Sequence, residues 1–233
     1  MQTLITKSIF ILFLTCLAAC ATTDYSETQT PSGYAYKVTE QFSDMPEDQR
    51  VPNYYWEDFC KRTPGDCGVS STQRRVDVGP QLWQKIQKIN RWVNDRIIYR
   101  TDEFNNQGRD RMMLLDLDNA TGKLYGDCED HAVTKRHHLL RLGIPASALR
   151  LAEVAPMSNG MTYIADTGIV IATHMVLIIA TNAGDFVLDN EDDYIQPVDR
   201  TGYYIAKFHM PEAKNPERWV IADAQPQLMS VIQ

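Results

Sequence analysis

Basic residues are in short supply in this 233-residue chain: 23 Lys and Arg stand against 30 Asp and Glu, a formal charge of −7. That balance argues against a protein that lives on nucleic-acid phosphate. Long apolar runs are scarce too, and the stretch Ile9 to Ala19 is too short to span a bilayer as a permanent helix. Glycine and proline number only 12 and 11 and show no period, while 44% of residues are hydrophobic, which excludes collagen-like, low-complexity and fully disordered chains. Internal repeats are absent, and beyond the N-terminal region there is no further shift in composition, so one folded domain is expected.

The N-terminal stretch has the anatomy of an export signal, with Lys7 followed by the apolar segment. It ends in Leu17-Ala18-Ala19-Cys20, which resembles a bacterial lipobox, so residues 1–19 read as a lipoprotein signal peptide and Cys20 as the lipidated N-terminus. Ala21 is not Asp, which by resemblance to sorted lipoproteins favours the outer membrane, on its periplasmic side. Residues 20–50 are rich in Thr, Ser, Gln and acids and read as a tether, leaving 51–233 as the domain.

Cysteine is sparse enough to be informative. Of Cys16, Cys20, Cys60, Cys67 and Cys128, the first leaves with the signal and the second takes lipid. Cys60 and Cys67 bracket a turn-rich segment in an oxidising compartment, so a disulfide is expected there, the alternative being two buried thiols. Cys128 remains unpaired in Gly126-Asp127-Cys128-Glu129-Asp130-His131, a polar setting unlike that of an inert structural thiol.

Periodicity supplies the frame. Leu82, Ile86, Ile89, Val93 and Ile97, with Pro80 in the first turn, predict a helix over 80–98. Ala132, Val133, Leu139, Leu140 and Leu142, stopped by Gly143, predict a second helix with Cys128 in its first turn. Segments 149–154, 174–180, 185–190 and 203–210 read as strands, and 112–117 as a short helix or strand. Helices followed by a largely antiparallel sheet argue for an α+β fold. The run Asp116-Leu117-Asp118-Asn119 fails as a calcium loop, because Ala120 and Thr121 fall where an oxygen ligand and a glycine are needed.

A thiol nucleophile needs a base, an orienting acid and donors for an oxyanion. A helix N-terminus favours thiolate and offers free N–H groups, including that of Cys128. Among five histidines, His131, His137 and His138 share the helix of Cys128 and read as surface residues, and His209 is a late, isolated candidate. His174 opens an apolar strand, and Asp189 closes the next one across the turn 181–184, so pairing of those strands brings the two to one end of the sheet.

Taken together, Tyr125 to Ala132, Leu142-Gly143-Ile144-Pro145, Leu149-Arg150, His174-Met175-Val176-Leu177 and Val187-Leu188-Asp189-Asn190 resemble the bacterial transglutaminase-like cysteine proteinases. The resemblance runs from about Cys60 to Asn190. It implies a papain-like or transglutaminase-like core, with Cys128 as nucleophile, His174 as base and Asp189 as orienting acid. It also implies Ca²⁺ at Asp127, Glu129 and Asp130. Electrostatics agrees, since three carboxylates beside a thiol disfavour thiolate unless a cation offsets them; the alternative is that they face solvent and cap the helix. Residues 102–124 lack the family's Trp and Thr-Pro pair, which bears on the substrate groove.

The expected function is a periplasmic, calcium-dependent cysteine endopeptidase acting on a protein, such as a large surface adhesin. An inner-membrane regulatory receptor is a partner the resemblance suggests. A transglutaminase acting on protein Gln shares the acyl-thioester step, and a non-enzymatic binding lipoprotein is the reading from another class.

Overall fold

The computed structural model describes residues 50–68, 73–105, 110–156, 173–209 and 218–221. The export signal, Cys20 and most of the tether lie outside them. Their order is β1 (Arg50–Pro52), α1 (Tyr54–Arg62), α2 (Pro64–Cys67), α3 (Pro80–Arg96), β2 (Ile97–Tyr99), α4 (Asp102–Asn105), β3 (Leu124–Gly126) and α5 (Cys128–Arg141). Then come β4 (Leu149–Pro156), β5 (His174–Thr181), β6 (Gly184–Leu188), β7 (Gln196–Pro197), β8 (Tyr203–His209) and β9 (Arg218–Ile221). Residues 112–117, expected to form a short helix or strand, form neither. Among the described residues no helix is long and apolar enough to cross a membrane.

Seven strands form one sheet in the order β1-β9-β8-β4-β5-β6-β7, and every neighbouring pair is antiparallel. Both faces of its centre are buried, which explains why β5 is apolar throughout rather than alternating. Leu177 and Ile179 join the helix-facing core with Trp56, Trp83, Ile86, Leu139 and Leu151, whereas Val176 and Ile178 join Ala152, Val154, Ile205 and Phe208 on the other face.

The helix of Cys128 is central rather than peripheral. Asp130, His131, Ala132, Val133, Thr134, Lys135, Arg136 and Leu139 are all buried. His131, read from sequence as a surface residue, is thus corrected to a core residue: its Nδ1–H donates to the Asp127 carbonyl at 2.6 Å, one turn back. The same packing buries His209 between Trp56 and Trp219, so it takes part in the core and not in the site. The helix stops where Gly143, at φ +94°, takes the left-handed conformation that a side chain would disfavour.

Cys60 and Cys67 form a disulfide with a Cα–Cα distance of 5.6 Å. The loop it closes carries Asp66, whose carbonyl accepts from Arg136 and whose carboxylate meets His137 Nδ1 at 2.9 Å. The bridged loop therefore grips the middle of α5.

Candidate active site

A two-stranded parallel ribbon delivers the thiol. β2 pairs with β3 so that Tyr99 lies opposite Gly126, and the Arg100 N–H bonds the Gly126 carbonyl at 2.9 Å. The chain then turns directly into α5 with Asp127 at the N-cap position and Cys128 as the first helical residue. Glycine at 126 is required by space: a Cβ there would lie 2.7 Å from both Cβ and Oδ2 of Asp130.

Around the thiol the chain gathers carboxylates. Asp102, Asp110, Asp127 and Glu129 line an open cleft with Cys128, Tyr99, Thr101, Glu103 and Thr173. Ligand oxygens of Asp102, Asp127 and Asp130 lie within 4.8 Å of one another, and so do those of Asp102, Asp110 and Glu129, giving two groups that could hold a metal ion. The sequence-derived ligands Asp127, Glu129 and Asp130 are thus brought to one place but divided between these groups. Asp102 and Asp110 were not foreseen. Asp102 follows β2 as Asp127 follows β3 in the parallel ribbon, and the Asp102 N–H donates to Asp127 Oδ2 at 3.2 Å.

These acids are held in unfavourable company. Burial, and then the charges of Asp127 and Asp102, push Asp130 up to about 8 even though the Met113 N–H donates to its Oδ1. Burial and the Asp127 charge raise Glu129, and burial raises Asp127. Asp127 and Glu129 face each other closely enough to share a proton, while Asp127 Oδ1 is buried with no hydrogen-bond partner among the described residues. Cys128 is raised by burial, by the Glu129 charge and by donating its thiol proton to Glu129 Oε2 at 3.2 Å. The Met175 N–H opposes this by donating to Cys128 Sγ, so the start of β5 lies against the thiol.

The residue before Met175 is His174, and its Nε2 lies 2.8 Å from Asp189 Oδ1. β5 and β6 pair from Thr181↔Gly184 to Leu177↔Leu188, which places Asp189, the next residue, at the His174 end of the sheet. Burial raises Asp189, but hydrogen bonds from His174, Tyr203 Oη at 2.6 Å and the Glu191 N–H at 3.0 Å outweigh it and hold the acid at about 2. An ionised carboxylate only accepts, so Nε2 carries a proton, and in the neutral imidazole the lone pair is then on Nδ1. Such an imidazole is set up to take and return a proton at Nδ1.

A thiol at a helix start, a histidine–carboxylate pair on the adjoining strands and an antiparallel sheet behind them form one arrangement. The model of the bacterial transglutaminase-like cysteine proteinase family matches residues 47–226, most of the chain. The chain belongs to this family. It is a cysteine peptidase with a transglutaminase-like α+β core.

No curated protein matches the chain. Similar solved structures are those of Legionella pneumophila LapG in calcium-bound form, at 20% identity and TM-score 0.45 over 67% of this chain and 83% of that one. LapG in EGTA-treated form aligns at 17% identity and TM-score 0.44, over 78% of this chain and 98% of the other.

Two further residues of this proteinase were not found from sequence. Tyr203 reaches Asp189 from β8, and Lys135, fully buried on α5, donates from Nζ to the Asp189 carbonyl at 2.6 Å. A tyrosine at a strand start and a lysine in a helix carry no local sign of such roles. The donor oxygens around Cys128 suit a hard divalent cation, and Asp127 Oδ1, buried without a hydrogen-bond partner among the described residues, fits one as well.

Proposed function

We propose that the chain is a calcium-dependent endopeptidase of the cell envelope that cleaves a protein with Cys128 as nucleophile, His174 as general acid–base and Asp189 as orienting carboxylate. The carrying observation is the hydrogen bond from His174 Nε2 to an ionised Asp189, on the strand whose Met175 N–H touches the Cys128 sulfur. His174 Nδ1 takes the thiol proton, and the sulfur attacks the scissile carbonyl carbon. Collapse of the tetrahedral intermediate breaks the C–N bond, the amine leaves with the proton from His174, and water hydrolyses the thioester with His174 as base. The Cys128 N–H, at the helix start where the helix itself offers no acceptor, faces the oxyanion.

Asp102, Asp110, Asp127, Glu129 and Asp130 are the residues that would hold calcium. Bound there, it would supply the positive charge that lets carboxylates and a thiolate share one end of the cleft. The sequence Leu17-Ala18-Ala19-Cys20 supports a lipid anchor on the periplasmic side of the outer membrane. The substrate is then an envelope protein, of which a large surface adhesin is the leading example, and an inner-membrane receptor is the regulatory partner. Nucleic acid is not a partner, consistent with the acidic balance.

The test is to incubate the purified chain, with calcium, with the exported proteins of a strain in which Cys128 is replaced by Ala, and to search by mass spectrometry for new N-termini. Cleavage by the wild type and none by Cys128→Ala is expected. Identical new ends with Cys128→Ala overturn the mechanism, and isopeptide cross-links in their place would assign the chain to transamidation.

A further inference from the structure

Asp189 stands just beyond the end of β6, where strand pairing no longer fixes the backbone, yet three separate elements converge on it. From α3, Asn94 Nδ2 donates to its carbonyl at 3.0 Å. From α5, seven residues past the thiol, Lys135 Nζ donates to the same carbonyl at 2.6 Å. From β8, Tyr203 Oη donates to Oδ2 at 2.6 Å, on the oxygen that His174 does not use.

β8 is separated from β6 by β4 and β5 in the sheet, so the tyrosine reaches over two strands to make that bond. On the way its ring comes 5.7 Å from the His174 ring, in a tilted contact. One side chain thus touches both the imidazole and its carboxylate.

The lysine poses a sharper question. The Asp189 carbonyl already has a neutral donor in Asn94, so hydrogen-bond satisfaction does not call for an ammonium, and burying a cation is unfavourable. Burial pulls the Lys135 ammonium down to about 7, against the opposing pull of the Asp189 and Asp193 carboxylates. What Lys135 adds is a second main-chain donor and, when protonated, a positive charge behind an acid that must stay ionised, on the same helix that carries Cys128.

We propose that Tyr203 and Lys135 are positioning residues that hold Asp189 in line with His174, Tyr203 through the carboxylate and Lys135 through the main chain and its charge. The proposal rests on the triad reading above and deepens it. It makes the helix of the nucleophile also the support of the acid, so that the two ends of the triad move as one body.

The full chain, labelled with ¹⁵N-histidine and saturated with calcium, gives a readout that needs no known substrate. In the wild type, His174 shows one tautomer with the proton on Nε2, and in Tyr203→Phe it becomes a mixture. Alkylation of Cys128 by iodoacetamide, followed on the peptide that carries it, falls about tenfold in Tyr203→Phe, the scale for losing an outer partner of a working ligand. Added to Asp189→Asn, the same change has no further effect, because the hydroxyl acts only through that carboxylate. Lys135→Gln, which keeps a donor and loses the charge, lowers alkylation by a similar factor. An unchanged tautomer and rate in Tyr203→Phe overturn the proposal, as does an equal loss in the Asp189→Asn background. If Lys135→Gln does not fold, the Tyr203→Phe arms decide. Wild-type behaviour of Asp189→Asn itself would overturn the triad reading, an outcome distinct from failure of Tyr203→Phe alone.

Discussion

Asp189 and Asp130 are both buried carboxylates close to a reactive side chain, yet the first is held at about 2 and the second is pushed up to about 8. Burial raises both, so the difference lies in what the chain places around them. Asp189 receives donors from His174, Tyr203 and the Glu191 N–H, with Lys135 Nζ donating to its carbonyl behind it. Asp130 receives the Met113 N–H and, with a smaller effect, the Asp127 N–H, and faces the charges of Asp127 and Asp102. The base side of the cleft is electrostatically complete from the chain's own residues, and the thiol side is not. The lesson is that the chain's own donors satisfy one half of this site, while the acids of the other half are the ones that the proposed function pairs with an outside cation.

The comparison can be broken most forcefully at Asp189. Asp189→Asn should cut cleavage by about 10⁴-fold, the scale for a triad that loses its orienting carboxylate, and added calcium should not restore it. Recovery by calcium would show that the two halves are not separate.

Asp102 sharpens the other half because it belongs to both acidic groups. Asp102→Asn should weaken calcium binding by more than tenfold in calorimetry, while the His174 tautomer stays as in the wild type. An unchanged affinity would remove Asp102 from the site.

A steric test comes next. Gly126→Ala drives a methyl to within 2.7 Å of Asp130, so it should destabilise the fold by about 1–3 kcal/mol in denaturant melts and weaken calcium binding as well. Loss of neither would mean that the ribbon and Asp130 separate easily.

The pH dependence is the most specific in sign. Asp189 sits below its ordinary 3.8, so its stabilisation, about 2 kcal/mol, is present above pH 4 and lost as pH falls toward about 2. Asp130 sits above its ordinary value, so in chelator the folded protein keeps a proton that the unfolded chain releases. Stability should therefore decline as pH rises from about 4 through about 8, and calcium should remove that decline. Thermal melts across this range, with and without chelator, check both slopes.

How much of this was legible depended on the range of the interaction. The strand 174–181, the turn at 181–184 and the position of Asp189 follow from apolar content and a short hairpin, so the His174–Asp189 pair could be read from local pattern. The start of α5 at Cys128 and its end before Gly143 are likewise local signals. Asp102 and Asp110 were hidden because they lie far along the sequence from Asp127 and Glu129, and only the parallel pairing of β2 with β3 brings the two stretches together. The burial of His131, Lys135 and Arg136 was hidden for another reason. Their polar type says solvent, and only the packing of α3, the sheet, the disulfide loop and residues 112–117 around α5 overrides it.

The central claim, that the thiol side depends on a cation and the base side does not, is tested most directly by the rate at which iodoacetamide alkylates Cys128 as calcium is titrated into the EGTA-treated full chain. The account predicts a slow rate in EGTA, where the thiol proton is held by Glu129, and a saturable rise with calcium that Asp102→Asn shifts to higher concentration. A rate that is already high in EGTA and indifferent to calcium would contradict it.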